Sequence, residues 1–206
     1  MNSPRRDATE RCSEGAPLCA QLRVSLLQHT PDPDRAVAIA GRLCYAPVSA
    51  ADLKQEMSAD DVAKLVRILV RSGHHSALEH AVFSFAVDGV SRACTHQLVR
   101  HRVASYNQQS QRYVNFGAAD SFVVPPSIAA NEEAQAVFLQ AMEDARVAYD
   151  KLVELGLAEG RTRESVQEDA RFVLPNAAET KIVVTMNARE LRHFFQVRCC
   201  NRAQWE

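Results

Sequence analysis

Residues 100–113 read Arg-His-Arg-Val-Ala-Ser-Tyr-Asn-Gln-Gln-Ser-Gln-Arg-Tyr (RHRVASYNQQSQRY), and the rest of the chain is best read outward from them. No Asp or Glu stands between Asp88 and Asp120, although the 206-residue chain carries 25 acidic residues and a net charge of -1. Arg92, His96, Arg100, His101, Arg102 and Arg112 all fall inside that acid-free run. A solvated surface normally interleaves both signs of charge. Guanidinium groups without acids suit an anion, phosphate above all, whose oxygens match the planar Arg fork two bonds at a time. The plainer account of the same residues is an exposed Arg-rich helix followed by a polar loop.

Just upstream, Val90, Ala93, Cys94 and Leu98 recur at helical intervals and predict a buried stripe, with Gln97, Arg100 and His101 on an adjoining face. After Val103 the pattern dissolves into Ser105, Asn107, Gln108, Gln109, Ser110 and Gln111, an amide- and hydroxyl-rich loop closing on Arg112 and Tyr113. Such a helix end and loop could grip a phosphate, a sugar and the polar edge of a flat ring together.

Composition sets the bounds. At 47% hydrophobic residues, this length suits one globular domain with a substantial core. A near-neutral charge argues against a general nucleic-acid binder, and no apolar run approaches membrane-span length. The N-terminus lacks a hydrophobic signal core. Cys12, Cys19, Cys44, Cys94, Cys199 and Cys200 include no C-x-x-C pair, so reduced thiols in a cytoplasmic protein account for them. The closest pair among the seven glycines is Gly156 and Gly160, which rules out both the G-x-G-x-x-G turn and the P-loop.

Several elements follow from local pattern. Residues 1–20 read as a mobile leader. Leu22–Gln28 predicts a strand, and Asp32-Pro33 predicts the cap and first position of a helix running to about Tyr45. Ser58 and Asp61 open a second helix, with Val62, Leu65, Val66, Leu69 and Val70 on its apolar stripe and Gly73 at its end. Ala81–Val87 alternates as a half-buried strand. Phe122–Val124 predicts a short strand stopped by Pro125. Asn131 to about Leu155 predicts a long packing helix closed by Gly156. Ser165–Leu174 predicts a helix cut off by Pro175, and Thr180–Met186 a buried strand.

His74-His75-Ser76-Ala77-Leu78-Glu79-His80 is a second chemical cluster. Imidazole and carboxylate both ligate metals, but the order is not H-E-x-x-H and no further ligand is evident, so no metal is assigned. A metal-dependent hydrolase using His74, His75 and Glu79, and a non-catalytic RNA-binding module using the Arg strip, are the competing readings. A structural hydrogen bond in the core is the expectation for His80.

The stretch RHRVASYNQQSQRY matches RHRxxSxNxxSxRY at every fixed position and resembles the flavin-dependent thymidylate synthases. Other segments carry the resemblance further: GHHSALEH (73–80), ARFVLP (170–175), NAR (187–189) and RHFF…R (192–198) are similar to elements of that family. It covers the chain from about Leu22 onward. The resemblance implies an α+β fold, a single domain over residues 21–206, with a small mixed or antiparallel sheet packed by long helices. It also implies that relatives continue beyond Ala203-Gln204-Trp205-Glu206, so the chain is expected to be shorter than they are at its C-terminus.

The implied reaction is reductive methylation of dUMP to dTMP, with methylenetetrahydrofolate as carbon donor and NADPH as reductant through FAD. No covalent protein nucleophile is involved, and sites are shared between subunits of a homotetramer. By the same resemblance, dUMP would be held by Gln97, Arg100, Gln108, Gln109, Ser110, Gln111, Arg112, Arg171 and Arg198. FAD would be held by Cys44, His74, Ser76, Glu79, Arg100, His101, Arg102, Asn187 and His193. Arg198 and Arg100 are the implied catalytic groups, Arg198 by stabilising charge on the uracil oxygen. Two alternatives stay open: Cys44 as a small buried thiol, and Arg189 as catalytic support or as a helix-start ion pair.

Overall fold

The structure is a computed structural model that describes residues 20–116 and 122–206. The expected leader, with Cys12 and Cys19, therefore lies outside the described residues, except for Ala20. In chain order the elements begin with β1 (Arg23–His29), α1 (Pro33–Leu43), α2 (Ala50–Glu56) and α3 (Ala59–Arg71). A 3-10 turn (His75–His80) leads into β2 (Val82–Ser91), α4 (Arg92–Leu98) and β3 (Ala104–Gln108). Next come α5 (Pro126–Ala129), α6 (Glu132–Ala158) and α7 (Arg163–Ala170), and a 3-10 turn (Arg171–Val173) joins α7 to β4 (Glu179–Asn187) and α8 (Ala188–Arg198). The strands form one antiparallel sheet in the order β1-β2-β4-β3, so the fold is α+β as expected.

The contacts divide the chain into two compact units, each discontinuous in sequence. One holds the described residues up to Arg23 together with Val87–Leu98 and Gln108–Ile182. Its core is Phe116, Phe122, Met142, Tyr149, Val153, Val166, Ala170 and Ala178. Helix α6 starts where Asn131 Oδ1 accepts the Ala134 amide at 2.9 Å, which satisfies one of the orphan donors of a first turn. It does not stop at Gly156, which is buried within it, but runs to Ala158 and is followed by Gly160 at φ +79. Phe122 makes only an isolated antiparallel bridge to Ala178, not the expected short strand. Helix α7 also ends earlier than expected, at Ala170, and tightens into the 3-10 turn before Pro175. At Gly89 (φ +70) a Cβ would fall 2.0 Å from the Gln21 carbonyl oxygen, so only glycine fits there.

The other unit comprises Val24–Ala86, Val99–Asn107 and Val183–Glu206. Val37, Leu69, Ala77, Leu78 and Ala81 form its core. Asp32 caps α1 and Ser58 caps α3, both as expected, through bonds from the Arg35 and Asp61 amides. A full capping box of Ser49 and Asp52 starts α2, a helix the sequence reading lacked although it has the same spacing.

The largest departures lie around the opening stretch. Val90 lies within β2 instead of opening a helical stripe, and α4 is only seven residues long. Its buried side is Thr95, with Ala93 exposed, so the predicted stripe is not formed. Gln97 is on α4, while Arg100 and His101 lie beyond it, and His101 is buried instead of sharing an exposed face. Residues 104–108 are not a loop but the edge strand β3, in which Ala104, Tyr106 and Gln108 are half-buried and Ser105 and Asn107 exposed. An edge strand needs only one paired side and tolerates polar residues on it, which is why its composition read as a loop.

Candidate active site

The first unit holds seven of the nine nucleotide candidates, Gln97 near the end of α4, Gln108 to Arg112 at and after the end of β3, and Arg171 after α7, while Arg100 and Arg198 belong to the other unit. Gln108 is half-buried; its Nε2 donates to Thr95 Oγ1 (2.9 Å) and Thr180 Oγ1 (3.2 Å), so its amide is engaged in the sheet. Gln109 extends the pairing, its amide donating to the Lys181 carbonyl at 2.9 Å. Its own carbonyl accepts from Arg92 Nη1 at 3.5 Å. Ser110 Oγ accepts the Arg112 amide at 3.2 Å, which turns the chain immediately after the strand.

Arg112 is not the unopposed guanidinium that local sequence suggested. It forms ion pairs with Glu168 and, at 3.6 Å, with Glu164, both on α7 and more than 50 residues away in the chain. Its Nε is nevertheless enclosed without a hydrogen-bond partner among the described residues. Arg171, the C-cap of α7, donates from Nε to the Glu168 carbonyl at 3.3 Å. Glu168 thus ties both guanidinium groups to one turn of helix. Arg92, absent from the candidates named above, joins them: burial and then the repulsion of Arg171 lower its pKa. No carboxylate pairs with Arg92 or Arg171 among the described residues. Gln97 is exposed and Gln111 half-buried.

In the second unit a buried polar cluster forms around His101, 8% exposed. Its Nδ1 lies 3.2 Å from Oε1 of Glu190, itself 8% exposed, and Arg198 Nε donates to its Nε2 at 3.3 Å. The Phe194 and His193 rings stand edge-on, at centroid distances of 5.1 and 6.1 Å. Tyr106 donates its hydroxyl to the His101 carbonyl at 2.9 Å. Glu190 is a residue sequence reasoning missed. Its partner is 89 positions away, and the only local trace was its place three residues after the Asn187 cap.

The remaining flavin candidates are placed as follows. Arg100 and Arg102 flank His101, exposed, with no carboxylate partner among the described residues. His74 and Ser76 are exposed at the turn before β2. Glu79 pairs with Arg189 at 2.5 Å, so Arg189 is an ion-pairing residue at the start of α8. Asn187 Oδ1 accepts the Glu190 amide at 2.9 Å and caps α8. Cys44 is exposed at the end of α1, not buried, its thiol 3.8 Å from the Ala40 carbonyl. His80 is exposed as well, contrary to the core role expected of it. Among the described residues no three His, Cys, Asp or Glu converge as a metal site.

Each unit of this α+β protein thus carries its own group of guanidinium or imidazole side chains, in a chain whose sequence has no G-x-G-x-x-G turn. The family model described as "Thymidylate synthase complementing protein" matches residues 25–206. A flavin-dependent thymidylate synthase of Geobacter sulfurreducens is 56% identical over 187 residues, covering 90% of this chain and 77% of that one. One from Clostridium tetani is 47% identical, with the same shares covered. Among solved structures, a UMP/dUMP methylase (PolB) from Streptomyces cacaoi bound with 5-Br dUMP superposes with a TM-score of 0.71. It is 28% identical and covers 87% of this chain and 78% of its own. The chain belongs to the flavin-dependent thymidylate synthase family.

Proposed function

We propose that this enzyme methylates dUMP to dTMP, with methylenetetrahydrofolate as carbon donor, NADPH as reductant and FAD as its resident cofactor. The observation that carries the reading is the grouping of Arg112 and Arg171 on Glu168, with Arg92 close enough to Arg171 to be repelled by it, in a chain whose relatives bear that activity in their names. A nucleotide monophosphate brings a doubly charged group, and these guanidinium groups offer several donors to it. Gln97, Gln109 and Gln111 supply amides for the sugar and base. Gln108, already bonded to Thr95 and Thr180, fixes the strand that presents them.

The second unit's residues fit a flavin by the chemistry of their donors. Exposed Arg100 and Arg102 without acidic partners suit a pyrophosphate, and His74, Ser76 and His193 add polar and ring contacts. Glu79 and Asn187 contribute through the Arg189 ion pair and the cap of α8, and Cys44 stands at the margin of this set. When bound, FAD supplies the hydride chemistry between reductant and nucleotide. The chain's own part is to bind and orient, which needs no protein nucleophile. Ser110 is unsuited to that role: its Oγ accepts the Arg112 amide, and no His, Asp or Glu bonds to it among the described residues. Arg100 and Arg198 act as the catalytic pair, Arg198 holding negative charge at the uracil oxygen.

We further place the enzyme in the cytoplasm as a homotetramer with shared sites, acting on neither nucleic acid nor membrane. The apolar, outward-facing β1 supports the assembly, and no helix among the described residues is long and apolar enough to cross a membrane. Calorimetric titration with dUMP tests the nucleotide site. Arg112→Ala should weaken binding by about 1.5–3 kcal/mol, the scale of a hydrogen bond to a charged group. Unchanged affinity would remove Arg112 from the site.

A further inference from the structure

We propose that Glu190 is a positioning residue for Arg198, acting through the ring of His101. The proposal deepens the reading that Arg198 serves the nucleotide and rests on it. A guanidinium can only donate hydrogen bonds and a carboxylate can only accept them. His101 lies between one of each: Nδ1 is 3.2 Å from Glu190 Oε1, and Nε2 is 3.3 Å from Arg198 Nε. Those partners require a neutral imidazole with its proton on Nδ1 and its lone pair on Nε2 aimed at Arg198. With the opposite tautomer, two N–H groups would face each other and Arg198 would be pushed out.

The surroundings leave the ring little freedom. Phe194 packs against it edge-on at 5.1 Å, His193 at 6.1 Å, and Tyr106 pins the backbone of the same residue. The backbone of Glu190 is fixed as well, because its N–H donates to Asn187 Oδ1 at 2.9 Å. Glu190 and Arg198 stand in the first and last turns of α8, about two helical turns or ~12 Å apart, so neither could order the other directly. A buried carboxylate is expensive to desolvate. An amide would hold the ring too, but an amide can rotate to donate or accept and so permits both tautomers. Only the acid commits His101 to accepting from Arg198. Arg198, otherwise an exposed and flexible side chain, is thereby held in one orientation before any ligand arrives.

Two measurements on the full chain test this. The first needs no variant: ring nitrogen spectra of histidine-labelled protein at neutral pH. The expected result is a neutral His101 protonated on Nδ1; protonation on Nε2, or on both nitrogens, overturns the proposal. The second is a double-mutant cycle read as dUMP dissociation constants. Arg198→Ala and Glu190→Ala should each weaken binding roughly tenfold or more, and the double variant no further than Arg198→Ala alone. Glu190→Gln should recover part of the loss by keeping an acceptor. Multiplicative losses in the double variant would mean that Glu190 acts independently of Arg198 and would overturn the proposal. If Arg198→Ala leaves dUMP affinity unchanged, the assignment of Arg198 to the nucleotide fails, and ring spectra of Glu190→Ala beside those of the parent still decide whether Glu190 sets the tautomer.

Discussion

Tyr106 shows how one residue records its neighbourhood. Its phenol is pushed up to about 12, first by burial and then by the Glu190 carboxylate. An acid whose folded-state pKa is raised holds its proton more tightly when folded. As pH rises from an ordinary value of roughly 10, the unfolded chain loses that proton first, so stability falls until the folded phenol also ionises. Urea midpoints measured across that alkaline window should therefore decline, and Tyr106→Phe should flatten the decline. The same slope in both proteins would contradict the placement of Tyr106 beside Glu190. The residue scale also marks where sequence reading ends. Asp32 and Ser58 were legible as caps because a cap bonds within three residues. The acids opposite Arg112 and His101 were not, because Glu168 and Glu190 arrive from distant helices.

Helices α6 and α7 make the corresponding point for elements. The glycine-terminator rule ended α6 at Gly156, yet the glycine is there for contact: a Cβ would meet Val166 Cγ2 at 2.6 Å and Cγ1 at 2.8 Å. Val166 is 2% exposed and has nowhere to move. Gly156→Ala should gain about 0.8–1 kcal/mol of helix propensity and lose about 1–3 kcal/mol to overpacking. A net loss of stability is expected in denaturant titrations, with recovery when Val166→Ala is added. An alanine variant as stable as the parent would show that the helices separate freely. Strand β3 was illegible for a different reason. Its Ser, Asn and Gln content matches a loop, and only pairing with β4 reveals the alternation.

At the scale of the whole molecule, β1 is out of keeping with a protein that works alone. Val24, Leu26 and Leu27 are 59%, 52% and 56% exposed, so apolar side chains stand uncovered on an edge strand. Exposed apolar surface of this kind marks an association site. Leu26→Glu should shift the assembled species toward smaller ones in sedimentation velocity; a wild-type protein that sediments as a monomer would end the tetramer proposal. Helices α1, α3, α6 and α7 were readable from caps and periodicity, while the family came from fourteen consecutive residues whose individual contacts periodicity could not order.

The most direct test of the account supplies purified protein with FAD, NADPH, methylenetetrahydrofolate and dUMP, and measures dTMP. NADPH oxidation is expected to respond to dUMP, and dTMP to accumulate. Protein that binds flavin and dUMP yet forms no dTMP would contradict it.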